Sequence, residues 1–337
     1  MNNHELKFLE KFVPTLSKNN ILQGNEDAVA WVTPQQFENQ VYVCNVDTIA
    51  WSSDALPGDM LLSDFGAKIV TVTLSDLVAK GAQPYFFLCS LSSPKNQNEA
   101  ITDILIGVQQ QCNQLNVSYL GGDLNTTQNI HSELVLTGIG IGFTPKESLI
   151  RRSTANSGDI VCVSGDFGYT GLGFEIYLKK SFNLASDHPL LPTIRKKLTK
   201  PIPRVDLIPY LRKFATSAID SSDGLILSLY HLSNESNIQI ILEKLPISKD
   251  IIEDKILKSL ANKNLLDFLE ITGYAGEEFE IVFTIKESEF SNLQKELQKE
   301  NLPQIQKIGI VQGGNKGIFY NGLPLKIQGW DSLSEKS

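Results

Sequence analysis

The chain has 337 residues, and its 30 Lys and Arg against 38 Asp and Glu give a formal net charge of −8 at pH 7. A negative chain whose Lys and Arg do not cluster repels a phosphate backbone, which argues against a nucleic-acid-binding protein. Hydrophobic residues make up 42% and charged residues 20%, so the composition excludes a disordered or collagen-like chain. At roughly 150 residues per domain, the length predicts two domains.

No apolar stretch reaches the roughly 18 residues that a membrane-crossing helix needs. The N-terminal sequence MNNHELKFLEKF lacks the basic start and the continuous apolar run of a signal peptide. We therefore expect a cytoplasmic protein without a membrane partner.

The first half of the chain alternates strand-like and helix-like segments. The segment 63–84 contains a strand-like stretch, but Ser63 or Asp64 as N-cap, Gly81 as a stop and Pro84 after it favour a helix. The other predicted elements of this half are strands at 41–47, 84–91, 117–123 and 133–143 and a helix at 98–116.

The polar, turn-rich segment 144–159 separates the two halves, and we place the domain boundary there. The prediction is an N-terminal domain of residues 1–144 and a C-terminal domain of residues 145–337, both of mixed α/β type. In the second half, Asn321-Gly322 within FYNGLPL predicts a hairpin with a type I′ turn. Its other elements are strands in IVCVSG, IQIILEK and FEIVFTI and helices after Gly224 and in SEFSNLQKELQKE.

Several carboxylates occur at the ends of apolar segments, next to Gly, Ser or Thr. A carboxylate at the rim of a buried element is partly desolvated and needs a partner, yet these motifs contain few Lys or Arg. An all-oxygen set without His or Cys at ligand spacing indicates Mg²⁺ rather than zinc. The candidate metal ligands are Asp27, Asp47, Asp76, Asp123, Asp220 and Asp223.

Each of these acids has a simpler interpretation when it is taken alone. An Asp beside Ser or Gly is commonly a turn residue or a helix cap, and Asp223 is placed to cap the helix that starts near Gly224. The same pattern, an acid at the end of an apolar segment beside Gly, Ser or Thr, recurs at several sites and so favours a metal cluster. The local pattern leaves both interpretations open.

Phosphate binding has no P-loop signature here, because G-x-x-x-x-G-K-[ST] is absent. Gly121-Gly122-Asp123 follows an apolar strand, where glycines let backbone N–H groups approach an anion. Arg151-Arg152 lies in the inter-domain segment, where a guanidinium can clamp a phosphate or simply be solvated.

Glu277, Glu278 and Glu280 precede a strand whose alternation would leave one or two of them in solvent. Trp330 is a candidate for stacking on an aromatic ligand or for filling the core.

Eight fragments in order along the chain together resemble the thiamine-monophosphate kinase family. The wider superfamily also contains aminoimidazole ribonucleotide synthetase, selenophosphate synthetase and the hydrogenase-maturation protein, but no N-terminal reactive Cys or C-terminal cysteine tail is present here. The fragments are NEDAVA (25–30), NVDTIAWSSD (45–54), SDFGAKIVTVTLSDLVAKGAQP (63–84), GGDLNTT (121–127), RRSTANSGDIVCVSG (151–165), AIDSSDGL (218–225), AGEEFEIVFT (275–284) and GWD (329–331).

The resemblance implies a two-domain fold like that of aminoimidazole ribonucleotide synthetase and ATP-dependent phosphorylation of thiamine monophosphate to thiamine diphosphate. It also implies a homodimer that pairs the N-terminal domains, several Mg²⁺ ions held by the six aspartates, and in-line transfer without a catalytic side chain. The implied ATP contacts are Gly122, Asp123, Arg152 and Ser222, and the implied substrate contacts are Asp54, Glu277 and Trp330.

Four segments depart from the family pattern. Gly-Asp-Asp-Ala-Ala becomes Asn25-Glu26-Asp27-Ala28-Val29, Thr-Thr-Asp becomes Asn45-Val46-Asp47, Trp51-Ser52-Ser53-Asp54-Ala55 replaces Glu-Gly-Val-His-Phe, and Gly-Glu-Asp-Tyr-Glu becomes Gly276-Glu277-Glu278-Phe279-Glu280. The third change motivates one alternative, a related ATP-dependent enzyme with another acceptor. Asn25 and Val46 motivate a second, a degenerate nucleotide-binding protein without turnover.

Overall fold

The computed structural model describes residues 39–56, 58–127 and 133–330, together with the backbone of residues 29–32. Its strands form two sheets, one from the first half of the chain and one from the second.

Within its described residues, the first half contains five strands and three α-helices. They are β1 (Val29–Val32), β2 (Gln40–Ala50), α1 (Trp51–Asp54), α2 (Leu62–Ala79), β3 (Gln83–Pro94), α3 (Asn98–Gln114), β4 (Ser118–Thr127) and β5 (Val135–Pro145).

Up to residue 330, where the description ends, the second half contains seven strands and seven α-helices. It also has two π-helical turns at Phe174–Leu178 and Glu270–Tyr274 and short 3₁₀ turns at Lys146–Ser148, Arg152–Thr154 and Val205–Leu207. The elements are β6 (Asp159–Val163), α4 (Tyr169–Gly173), α5 (Leu191–Thr199), α6 (Ile208–Phe214), β7 (Ala215–Asp220), α7 (Leu225–Ser236), β8 (Gln239–Leu242), α8 (Lys249–Glu253), α9 (Lys255–Asn262), β9 (Ile281–Lys286), α10 (Glu287–Lys299), β10 (Gln306–Gln312), β11 (Gly317–Tyr320) and β12 (Leu323–Pro324).

The first sheet has the strand order β1-β2-β5-β3-β4, antiparallel except for the parallel pair β3 and β4. Alternation along β2 buries Val41, Val43 and Ile49 on one face and exposes Val46 on the other. The buried face packs against α2, which also contacts β7 of the second half. Because α2 lies between the two halves, it is apolar nearly all round.

The second sheet has the order β12-β11-β8-β10-β6-β9-β7 and is antiparallel except where β11 runs parallel to β8. Its strand β6 is buried along its whole length. The strand β7 ends at Asp220 and the helix α7 begins at Leu225, so the acidic turn between them lies at the sheet edge that faces α2.

Several local predictions are confirmed. The segment predicted as a helix at 63–84 is α2, but its N-cap is Leu61, so Ser63 and Asp64 lie in the first turn and cap nothing. The Asn321-Gly322 turn joins β11 to β12, with φ of 52° and 78° as a type I′ turn requires.

The change of sheet falls between Pro145, where β5 ends, and Asp159, where β6 begins. The division into domains at residues 144 and 145 stays a prediction. Among the described residues, no helix is long and apolar enough to cross a membrane.

Candidate active site

A cavity of about 710 Å³ opens between the two halves of the molecule. Its wall is built from β2, α1 and α2 of the first half and from the turns around residues 152, 222 and 276 of the second. Both halves are therefore needed to form it.

Four of the six predicted metal ligands line this cavity. Asp47 lies on the face of β2 that packs on α2, Asp76 lies on α2, Asp220 ends β7, and Asp223 lies in the turn before α7. The N-cap of α7 is Gly224, so Asp223 lies one position before it. Elements far apart in sequence thus bring these carboxylates to one wall.

Burial, and for Asp76 and Asp220 also repulsion by neighbouring carboxylates, disfavours the ionised form of these acids. Burial raises the pKa of Asp47 and of Asp220 to about 6. Burial also raises the pKa of Asp76 well above its ordinary 3.8, and repulsion from Asp220 and Asp47 raises it further. Lys80, buried one helical turn after Asp76, opposes this rise only in part. The wall therefore favours a bound cation.

Asn45 bridges two of these acids. Its Nδ2 donates to Asp47 Oδ2 at 2.5 Å and also to a carboxylate oxygen of Asp76. The backbone oxygen of Thr73 is a third acceptor of the same Nδ2, at 3.5 Å. A neutral amide NH₂ group has two donors, so it can bind two carboxylates at once where a cation would otherwise be needed.

The donor set fits Mg²⁺ shared with a phosphate ligand rather than a closed protein cage. Among the described residues, no three His, Cys, Asp or Glu side chains form a group that could hold one ion. Mg²⁺ is commonly held by one or two carboxylates, with water and substrate phosphates completing its shell. Several isolated carboxylates around one cavity match that requirement.

Basic side chains lie close to these acids. Arg152, a predicted ATP contact, lines the cavity together with His231, and the charge of Arg152 acts on Asp220 while that of the buried Lys80 acts on Asp76. Burial, helped by the charges of Arg152 and Lys80, lowers the pKa of His231 to about 3, so its imidazole is neutral at pH 7. Ser222, a second predicted ATP contact, also lines the cavity. Arg152, His231 and Ser222 can donate hydrogen bonds to an anion that binds beside the carboxylates.

Three predicted residues lie elsewhere. Gly122 and Asp123 lie on the edge strand β4, where both are exposed, and they do not line the cavity. Asp123 pairs with Ser90 of β3 in the sheet register. Asp27 lies outside the described residues. The ligand roles of all three stay predictions.

The predicted substrate contacts lie at another part of the cavity wall. Asp54 ends α1, and its Oδ2 accepts from Ala50 N at 2.9 Å and from Ser53 Oγ at 2.6 Å. Glu277 lines the same wall, and both of its carboxylate oxygens accept from Lys68 Nζ at 2.9 Å. The structure thus brings Asp54 and Glu277 to one place.

Trp330 closes the rim of the cavity. Its backbone N–H donates to Asp223 O at 3.1 Å, and Gly329 packs so closely that a Cβ there would lie 2.5 Å from the same oxygen. The Trp330 side chain is half exposed, so the ring is available to a ligand. Phe174 and Tyr274 add aromatic surface to the lining.

The prediction that one or two of Glu277, Glu278 and Glu280 face solvent is wrong for the last two, which are buried before β9 begins. Glu278 Oε1 accepts from the backbone N–H groups of Gly168 and Thr170. Glu280 accepts from Lys197 Nζ at 3.0 Å and from Arg204 Nη1 at 2.9 Å. Both carboxylates hold the fold together.

Sequence reasoning did not single out Lys68, His231 or Asn45 as site residues. Lys68 could have been recognised from the sequence, because a lysine within the apolar run AKIVTV must be paired if the helix is buried on all sides. Asn45 shares the face of β2 with Asp47, which the alternation of a strand predicts. His231 carries no local signal.

Comparison with known proteins identifies the fold of this chain. Residues 25–143 match the family described as AIR synthase related protein, N-terminal domain. The structure of AaThiL complexed with AMPPCP and TMP superposes with a TM-score of 0.79 at 23% identity, covering 97% of this chain and 96% of that one. The protein therefore has the two-sheet α/β fold of the AIR synthase-like proteins.

Curated relatives define the family more narrowly. The thiamine-monophosphate kinase of Nitrosopumilus maritimus is 31% identical over 296 residues, which cover 86% of this chain and 89% of the relative. That of Pyrococcus abyssi is 31% identical over 311 residues, with 89% and 88% covered. The chain belongs to the thiamine-monophosphate kinase family.

Proposed function

We propose that this protein transfers the γ-phosphoryl group of ATP to the phosphate of thiamine monophosphate, which yields thiamine diphosphate and ADP. One observation carries the proposal: in a chain of this family, Asp47, Asp76, Asp220 and Asp223 converge on one cavity whose other walls hold Arg152 and Glu277. In the reaction, the bond between the γ-phosphorus and the β–γ bridging oxygen breaks. A bond from that phosphorus to an oxygen of the acceptor phosphate forms.

Both reactants are anions, so their mutual repulsion must be offset before transfer. Arg152 and Ser222 are placed to hold phosphate oxygens of the nucleotide, and the neutral His231 beside them can donate or accept a hydrogen bond without adding charge. Asp54 and Glu277, which line the same cavity, would orient the acceptor. Because one cavity would hold both reactants, an acceptor oxygen can be aligned with the γ-phosphorus.

Asp47, Asp76, Asp220 and Asp223 would hold Mg²⁺, and Asp27 and Asp123 are the further predicted ligands. Bound Mg²⁺ would neutralise phosphate charge and bridge the nucleotide to the carboxylates. The raised pKa of Asp47 and Asp220 supports this role, because acids so buried have too little compensating charge of their own.

The direct test is incubation with ATP, Mg²⁺ and thiamine monophosphate, followed by separation of the products. We expect thiamine diphosphate and ADP in equal amounts. Asp103→Asn, which removes an exposed acid of α3, is a matched control for Asp220→Asn and keeps full activity.

Other outcomes identify the alternatives. ADP release that depends on a different acceptor would replace the proposed substrate. Tight AMPPCP binding without any ADP release from ATP would indicate a nucleotide-binding protein without turnover. Either result would overturn the proposal. The predicted cytoplasmic location stays a prediction.

We also propose that two copies pair through the outer face of the first sheet. This face exposes large apolar side chains on β2 and β3, the two strands that flank β5, among them Val46 at 55% and Tyr85 at 50%. Tyr85 and Tyr42 both pack against Phe143, with ring centroids 5.2 and 4.4 Å away. Exposed apolar patches of this kind mark protein interfaces.

Sedimentation velocity tests the dimer. Val46→Asp on the outer face is expected to yield a monomer. Leu323→Asp is the control, since Leu323 is 69% exposed but lies on β12 of the other sheet. A wild-type protein that sediments as a monomer at all concentrations would refute the pairing.

A further inference from the structure

We propose that Lys68 is a positioning residue for the acceptor end of the site, and that it acts by fixing Glu277 against the end of α1. This inference rests on the proposed function and concerns a residue whose hydrogen-bond partners, Asp54 and Glu277, are not among the predicted metal ligands. Lys68 comes from α2 in the first half, whereas Glu277 comes from the second, so the contact also ties the two halves together.

The ammonium group of Lys68 is fully used. Nζ donates to Glu277 Oε1 and Oε2, both at 2.9 Å, and to Asp54 O at 2.8 Å. The Lys68 side chain is 3% exposed and that of Glu277 is 23% exposed. An ammonium group has three donors, so each of them has an acceptor. Such an arrangement leaves little freedom to either partner.

The backbone around Glu277 needs this support. Glu277 has φ of +66° and Phe279 has φ of +52°, both in the left-handed region that non-glycine residues seldom occupy. Glu277 N donates to Ser222 O at 2.7 Å, and Phe279 N donates to Ser221 O at 3.1 Å. Residues held in this region persist where their surroundings determine them, and such positions cluster at functional sites. Here the acidic turn holds the backbone and Lys68 holds the side chain.

Lys68 also determines where Asp54 lies. The Asp54 carboxylate is tied to its own helix by Ala50 N and Ser53 Oγ, and the last carbonyl of that helix is the third acceptor of Lys68. One lysine thus sets the distance between the two residues predicted to contact the acceptor. A displacement of about 1 Å at such residues is enough to slow a reaction about a hundredfold.

The nucleotide end is expected to be independent of this contact. Asp76 follows Lys68 by eight positions on α2, which is about 12 Å along a helix. Loss of Lys68 should therefore change acceptor use and leave nucleotide binding alone. A lysine that only stabilised the fold would change both or neither.

The experiment compares Lys68→Met, Lys68→Arg, Glu277→Gln and the double variant K68M/E277Q. Lys249→Met is the matched control, because Lys249 is 80% exposed and pairs with Glu253 on α8. We expect Lys68→Met to raise KM for thiamine monophosphate about tenfold or more, with the calorimetric Kd for AMPPCP within about twofold of wild type. Lys68→Arg keeps the charge and should lie between wild type and Lys68→Met.

The double variant tests whether Lys68 acts through Glu277. If it does, K68M/E277Q changes KM by about as much as Glu277→Gln alone, because the contact is already lost. It also removes the unpaired carboxylate that Lys68→Met leaves behind, so it remains informative if the single variant does not fold. Additive effects, or an unchanged acceptor KM in folded Lys68→Met, would overturn the inference.

A second readout separates this inference from the proposed function. Amide hydrogen exchange of the ligand-free protein should be at least about tenfold faster at Glu277 and Phe279 in Lys68→Met than in Lys249→Met. If wild type makes no thiamine diphosphate, the proposed function fails and this exchange still tests the role of Lys68. Unchanged exchange at both amides would reject that role.

Discussion

Two groups of buried acids in this protein have the same chemistry and opposite electrostatics. Glu280 is buried beside Lys197 and Arg204; burial alone would raise its pKa, but the two cations lower it below the ordinary 4.5. In the cavity, Asp76 and Asp220 are buried with too little positive charge nearby, and their pKa values are raised. We call these the paired acid and the unpaired acids.

The difference separates a structural role from a functional one. A buried acid with two cationic partners is already satisfied and contributes to the fold. Unpaired acids make the ligand-free protein less stable and are retained where a ligand supplies the missing charge. Neutralising an acid should therefore have opposite effects on stability in the two places.

The largest expected effect is that of Asp220→Asn on activity. We expect kcat/KM to fall by about 10³-fold, because Asp220 would hold Mg²⁺ and the loss of one preorganised charge interaction at a transferred group costs about 10²–10³ or more. The same change should raise the stability of the metal-free protein by about 1–3 kcal/mol, because it removes a repelled, buried charge. Steady-state kinetics and urea unfolding in EDTA measure the two effects. If Asp220→Asn were less stable than wild type, the distinction between paired and unpaired acids would be contradicted.

Glu280→Gln should act in the opposite direction on stability. It leaves Lys197 and Arg204 without their common partner, and breaking one side of a buried pair costs about 3 kcal/mol or more. Urea unfolding measures the loss. The folded fraction should still show a Mg²⁺-dependent gain in stability, which Asp220→Asn should have lost. Equal stability of Glu280→Gln and wild type would show that the paired acid is not structural.

Lys197→Met should cost less, about 1–2 kcal/mol, because Arg204 and Ser164 still bind the Glu280 carboxylate. Lys213→Met is the matched control: it breaks the exposed ion pair with Glu296 and should change stability by less than about 1 kcal/mol. Thermal unfolding of both variants gives the comparison. A larger loss in the control would mean that burial does not decide the strength of these pairs.

The smallest expected effect is a pH dependence of the stability that Glu280 contributes. Because the folded pKa of Glu280 is depressed, its contribution to stability is present above the ordinary pKa of 4.5 and is lost as pH falls through the folded value. The stability difference between wild type and Glu280→Gln should therefore shrink by about 1 kcal/mol as pH falls from about 6 to about 4. Urea titrations at the two pH values measure it. A difference that grows on acidification would give the wrong sign.

The sequence predicted the positions of the cavity acids better than the residues that surround them. Asp47, Asp76, Asp220 and Asp223 each stand at the rim of an apolar element, and the packing of α2 between two sheets brings all four to one cavity. Helix α2 itself was predictable, because its ends contain turn residues that outweigh its β-branched centre.

The partners of the acids were not predictable from local pattern. Glu280 pairs with Lys197 and Arg204, more than 75 positions away, and Lys68 pairs with Glu277 across 209 positions. Strand alternation assigned Glu278 and Glu280 to a half-exposed strand, but β9 begins only at Ile281 and the preceding turn buries both. Whether an acid is paired depends on tertiary contacts that no spacing rule contains.

Calorimetric titration of Mg²⁺ with AMPPCP into wild-type protein, Asp220→Asn and Glu280→Gln tests the central claim most directly. We predict Mg²⁺-dependent AMPPCP binding in wild type and in folded Glu280→Gln, and a loss of that binding in Asp220→Asn. Binding that is independent of Mg²⁺ in wild type, or unchanged in Asp220→Asn, would contradict the claim that the unpaired acids form the metal and nucleotide site.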